Sequence, residues 1–171
     1  MGAIPEKDPA FLLKENVRIL LTTLHALQKK VVGFSWRKLF PFNLYFRAVD
    51  FPAYARFLEE IRGKIDEQRK ICLEHPVRGE SAPHREFFDA MEDYLRPLGE
   101  SADELREVAL LMRENAPLKE INAQLDRYQE RCARYHDKAL GLAQSWTALV
   151  QSFKGREEPG TEDGGKGGKE G

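Results

Sequence analysis

From Ile121 to Phe153 the residues Ile121, Leu125, Tyr128, Cys132, Tyr135, Ala139, Leu142, Trp146, Leu149 and Phe153 recur at alternating spacings of four and three. That period lays them along one stripe of one helix. A heptad-like stripe this long is stable only when neighbouring helices cover it. The chain is therefore expected to pack helices side by side, and the stripe assigns Cys132 and four aromatic residues to packing rather than to chemistry.

Three further segments carry the same period between recognisable start and stop signals. The first opens at Asp8-Pro9, a capping residue followed by a proline at the first helical position, and closes at Gly33 behind Lys29 and Lys30. Its seam is Leu13, Val17, Leu20, Leu24, Leu27 and Val31. Leu12, Ile19 and Leu21 widen the apolar stripe, so this helix is expected to be the most buried one or to meet another subunit. The second runs from Asp50-Phe51-Pro52 to His75-Pro76, with Tyr54, Leu58, Ile61, Ile65, Gln68 and Cys72 in phase.

The third begins after Ser81 and carries Phe87, Met91, Tyr94, Leu98, Ser101, Leu105, Val108 and Met112. Pro97 removes a backbone donor and Gly99 adds freedom, so a kink or a break is expected over residues 97–101, with Ser101 and Glu104 as a capping box able to restart the helix. The fourth starts at Pro117. The expected architecture is all-α: an antiparallel up-down four-helix bundle, coiled-coil-like in its seams, with an aromatic-rich connection between helices 1 and 2. Residues 1–154 form a single domain, and residues 155–171, with seven of the chain's 13 glycines, form a disordered Gly/Glu/Lys-rich tail.

The chain has 171 residues, within the roughly 100 to 200 that usually bury one core. A net charge of −1 argues against a nucleic-acid-coating protein, so no nucleic-acid partner is expected. The charge is unevenly spread: +4 over residues 1–76, −3 over residues 77–154 and −2 over the rest, so the front half suits an acidic partner. Two cysteines do not make a secreted disulfide scaffold. The first residues lack the basic and apolar regions of a secretory signal, and no apolar run approaches the roughly 18 residues that span a bilayer. A soluble cytoplasmic protein is the expectation.

The connection between helices 1 and 2 is the least ordinary part of the chain. Nine of the 17 aromatic residues lie from Phe34 to Phe57: Phe34, Trp36, Phe40, Phe42, Tyr45, Phe46, Phe51, Tyr54 and Phe57. From Lys29 to Arg56 the basic residues Lys29, Lys30, Arg37, Lys38, Arg47 and Arg56 face a single acid, Asp50. One expectation is an apolar lid over the end of the bundle, its rings in the core and its bases in water. The other is a working surface made of Phe34, Trp36, Arg37, Lys38, Phe40, Phe42, Tyr45, Phe46 and Arg47, residue types that dominate protein interfaces. Its partner would be another protein or a second copy in a homo-oligomer. The same chemistry suits a peripheral coat on an acidic or lipid surface.

Catalytic signals are weak. Cys72 and His75 are three apart, and Cys132 and His136 four apart, so together they offer a Cys2His2 set of the kind zinc takes, and with it a metal-binding sensor. Both cysteines, however, fall on apolar seams, where a thiol behaves as a small hydrophobe. No metal or cofactor is expected. A di-iron centre needs a glutamate three residues before a histidine on two helices, and His25, His75, His84 and His136 all lack it. His25, with Lys29 four residues on, is similar to no more than a fragment of a phosphoryl-accepting helix, and reads as a boundary histidine beside the core. Glu59, Glu60, Asp66 and Glu67 alternate with Lys64, Arg69 and Lys70, the pattern of a solvated, ion-paired face. No catalytic residue is assigned, and the expected class is a non-enzymatic helical interaction protein.

Overall fold

A computed structural model describes residues 7–35 and 50–155. Four helices account for nearly all of them: α1 (Pro9–Ser35), α2 (Phe51–Glu74), α3 (Ala82–Arg113) and α4 (Leu118–Lys154). A 3-10 turn at Pro76–Gly79 joins α2 to α3, and there is no strand among the described residues. None of these helices is long and apolar enough to cross a membrane. The expected tail lies outside the described residues beyond Gly155.

The helix starts follow the capping chemistry in the sequence. Asp8 accepts the Ala10 amide at 2.8 Å and Asp50 accepts that of Ala53 at 2.9 Å. Ser81 accepts the His84 amide at 3.4 Å. Each satisfies a donor that the first turn leaves orphaned. Asn115, with φ of 54°, takes the left-handed conformation that ends α3, and its neighbour Ala116 donates back to Leu111 at 3.0 Å.

Cross-helix contacts fix the directions. Asn16 meets Gln68 and Lys30 lies over the Tyr54 ring, so α1 and α2 run antiparallel. Arg69 meets Glu92 and Arg62 meets Asp103, which sets α2 against α3. Arg131 reaches Glu100 while Lys138 reaches Asp93, which sets α3 against α4. Lys14 lies over the Trp146 ring and His25 lies beside the Tyr135 hydroxyl, which sets α4 against α1. The chain is thus an up-down-up-down bundle. One end gathers Ser35, the start of α2, the end of α3 and the start of α4; the opposite end gathers the other four termini.

The core runs the length of α3, where Phe87, Phe88, Leu95, Leu98, Leu105 and Val108 are fully buried. This helix packs closely on both α2 and α4, whereas the backbones of α1 and α4 stay apart. Large side chains fill that gap: Lys14 Nζ stands 4.4 Å from the Trp146 ring centre, and His25 Nε2 lies 3.2 Å from the Tyr135 hydroxyl. Ala139, also on the α4 seam, is too short to bridge it and is exposed.

Two expectations need correction. α1 is not the most buried helix, because Leu12 and Ile19 face solvent, although Leu21, with Phe11 and Val32, packs part-buried beside the seam. Of the kink or break expected over residues 97–101, the break does not occur: α3 continues from Ala82 to Arg113, and Ser101, rather than capping a new helix, donates back to the Leu98 carbonyl at 2.7 Å inside the core. Interior proline costs a helix about 3 kcal/mol. Leu95 and Leu98, both fully buried on either side of the proline, supply packing that outweighs that cost.

Candidate interaction surface

Of the candidate interaction surface, Trp36, Arg37, Lys38, Phe40, Phe42, Tyr45, Phe46 and Arg47 lie outside the described residues, as does the side chain of Phe34. The three aromatics that follow are described, and each is used differently. Phe51 is buried in the first turn of α2. Tyr54 is half-buried, with Lys30 Nζ 5.8 Å from its ring centre, a cation–π contact across the start of the α1/α2 groove. Phe57 points outward and is 53% exposed.

Phe57 is one of five large apolar side chains exposed on α1 and α2. Leu73 at 54% stands on another side of α2, whereas Leu12 at 51%, Ile19 at 57% and Ile71 at 36% share the side of Phe57. Their alignment follows from one contact: Asn16 Nδ2 donates to Gln68 Oε1 at 3.3 Å. Leu12 and Ile19 stand four residues before and three after Asn16, on the same side of α1. Ile71 stands three residues after Gln68 and Phe57 three turns before it, on the facing side of α2. Gln68, the one residue that interrupts the apolar seam of α2, is thus the groove's polar clasp. The exposed residues form an interrupted apolar line along the groove, ending where residues 36–49 connect the two helices.

The neighbouring α2/α3 face has the opposite character. Arg62 pairs with Asp66 and, at 2.8 Å, with Asp103; Arg69 reaches Glu92 at 2.8 Å; Arg78 pairs with Asp89. Glu92 also holds Arg96 at 2.6 Å. Those hydrogen bonds, Arg96 first and then Arg69, outweigh the cost of partial burial and hold the Glu92 carboxyl below the usual carboxylate range. Gly99 leaves space for this network, since a Cβ there would stand 3.1 Å from Arg62 Nη1. A shallow groove of about 340 Å³ between α3 and α4 is lined by Asp93, Arg96, Glu100, Arg134, Asp137 and Lys138, three acids balanced by three bases.

The four metal candidates serve separate structural purposes. Cys72 is fully buried, and burial, reinforced by the nearby Glu92 charge, pushes its thiol up to about 12. His75 ends α2 and accepts the Val77 amide on Nδ1 at 3.2 Å, with its ring stacked 6.0 Å from Phe88. Cys132 is half-buried on the same face of α4 as Tyr128 and Tyr135, and its thiol too is raised, chiefly by burial. His136 is exposed against the Tyr135 ring. No three His, Cys, Asp or Glu side chains among the described residues converge as a metal site would require.

A constellation that sequence reading missed lies at the opposite end of the bundle. Ser81 Oγ is 2.8 Å from His84 Nδ1, and His84 Nε2 is 3.5 Å from Asp8 Oδ2. The residue types are those of a nucleophilic triad. Here, however, Ser81 and Asp8 both accept backbone amides as helix caps, and the His84 ring packs edge-on against Phe153 with centroids 5.7 Å apart. The group therefore ties the starts of α1 and α3 to the end of α4. Both caps are legible in the sequence, but their meeting across 76 residues is not. Compared with known protein families, curated proteins and solved structures, the chain matches none of them.

Proposed function

We propose that this protein is a non-enzymatic helical interaction module that self-associates or docks to a protein partner through the aromatic and basic segment 34–57. The observation that supports this reading is the exposed apolar line of Leu12, Ile19, Phe57 and Ile71, which runs toward that segment along the α1/α2 groove. Exposed apolar side chains in a row, with basic Lys30 and Arg56 at one end, resemble the apolar centre and charged margin of a docking surface.

The test compares two variants by sedimentation and by capture of partners from the source cell's extract. One carries Phe40→Ser, Phe42→Ser and Phe46→Ser; the other carries Ile19→Ser and Phe57→Ser. Both are expected to lose partner capture, and any self-association made through this segment, while melting within about 5 °C of the parent, since surface substitutions generally cost under about 0.5 kcal/mol. A large fall in melting temperature for the triple variant would identify the rings as core and defeat the proposal. Partner capture and sedimentation both unchanged from the parent, or binding only to anionic vesicles, would do the same, the latter in favour of a peripheral coat.

A further inference from the structure

The α1/α2 groove and segment 34–57 leave one large surface unexplained, the outer side of the last third of α4. Residues 119–138 of this helix carry nine charged side chains, as the outside of a bundle should. From Ala139 to Phe153 there are none in fifteen positions, although at 32% charged the chain's average would put about five there. Packing does not account for the change, because Leu140, Ala143, Gln144, Thr147 and Gln151 all face solvent. Leu140, 68% exposed, is the most exposed large apolar side chain among the described residues.

These outward residues have an order of their own. Leu140, Gln144, Thr147 and Gln151 are spaced four, three and four, a second heptad-like stripe on the side of α4 away from the core. With Ala143 and Ala148 the last three line a shallow, open depression of about 320 Å³ on the face of this one helix. The period of the stripe suits another helix.

We infer that this helix is α4 of a second copy, running antiparallel across a two-fold axis midway between Gln144 and Thr147. In that register the central positions of the stripe meet those whose numbers complete the same sum: Gln144 faces Thr147, and Leu140 faces Gln151. The next exposed positions outward bring Asp137 opposite Lys154, an acid to a base at both ends of the contact. Neither has an ion-pair partner within the chain among the described residues. A two-fold contact sets a surface against itself, so like charges near the axis would repel; an uncharged centre flanked by one acid and one base avoids that.

The strip is about 22 Å long and 10 Å wide, well short of the roughly 800 Å² per partner of a stable complex, so the dimer is weak and concentration-dependent. Its geometry nonetheless has a consequence. The axis lies about 40 Å from the start of α4 at 1.5 Å per residue, so the two bundle ends that carry residues 36–49 stand about 80 Å apart and face opposite ways. Such a dimer turns the two bundle ends at which α1 finishes and α2 starts toward separate partners or sites.

The test is charge reversal read by analytical ultracentrifugation over a concentration series. Asp137→Lys sets lysine against Lys154, and Lys154→Asp sets aspartate against Asp137; each is expected to raise the dimer Kd about tenfold. The double variant restores opposite charges and is expected to return the parental Kd. Rescue by the double variant separates this contact from any association through segment 34–57, because exchanging the two charges restores only a contact in which they meet each other. A parent that stays monomeric at every concentration, or single variants that dimerise as the parent does, would overturn the inference. Failure of rescue would overturn the register and with it the two-fold contact.

Discussion

The α2/α3 face and the last third of α4 are built on the same helical period but finished differently on the outside. Between α2 and α3, Arg62 and Arg69 of α2 and Arg78 of the joining turn reach acids on α3, and Glu92 lies at the centre with two guanidinium partners. Along Ala139–Phe153 the outer positions carry no charge at all. An amphipathic pattern therefore states only which side of a helix is inside. The chemistry of the other side separates a face finished against water from a face prepared for contact, and the second kind is where function should be sought in this chain.

The largest expected contrast is between the inside and the outside of this architecture. Leu98→Ala, at a fully buried position of α3, should lower stability by about 3 kcal/mol, while Leu140→Ala should change it by less than about 0.5 kcal/mol. Urea unfolding at a protein concentration too low for association measures both. A comparable cost at Leu140 would mean that the outer face of α4 is held within the chain and would end the comparison.

Next in size is the ion-paired face. Glu92→Gln removes the acceptor shared by Arg69 and Arg96 and should cost about 2 kcal/mol at pH 7. The pH dependence has a definite sign. Because the folded-state pKa of Glu92 lies below its ordinary 4.5, its contribution is complete above that value and is lost as the pH falls below it. Stability curves of the parent and the variant should therefore converge under acid. A constant offset down to pH 3 would show that the carboxylate charge contributes nothing.

The smallest expected effects come from the helical glycines. Gly63→Ala meets open space and should gain about 0.5 to 1 kcal/mol from helix propensity alone. Gly99→Ala should gain less than Gly63→Ala or lose stability, because its Cβ crowds the Arg62 guanidinium, which must give by a few tenths of an ångström against its pairs with Asp66 and Asp103. Equal gains at the two sites would show that the network tolerates displacement.

Local chemistry explains both what was legible and what was misread. The caps at Asp8, Asp50 and Ser81 depend on a side chain and an amide two or three residues away, so sequence alone locates them. Residues 97–101 carry a proline, a glycine and a capping-box pair, all of them signs of a break, yet each is used otherwise. Pro97 is buried in continuous helix, Gly99 makes room for a guanidinium from α2, and Ser101 bonds back to Leu98. On the α4 seam, Tyr128, Tyr135 and Leu149 are buried as the period requires, while Ala139 faces the gap where α1 and α4 stay apart. Of the candidate surface, only the end at Phe51, Tyr54 and Phe57 can be compared with structure, and its three rings have three different fates.

The sequence by itself determined that this chain is a bundle of four helices, where each begins, and which stripe of each turns inward, because period and capping act over a few residues and need no partner. Tertiary structure alone decided which inward stripe is fully covered, that Gln68 clasps Asn16, that Asp8, Ser81 and His84 meet, and which apolar residues remain outside. Those outcomes depend on the distance between helix axes, which is set by the combined volume of side chains from separate segments and is written in no single stretch of the chain.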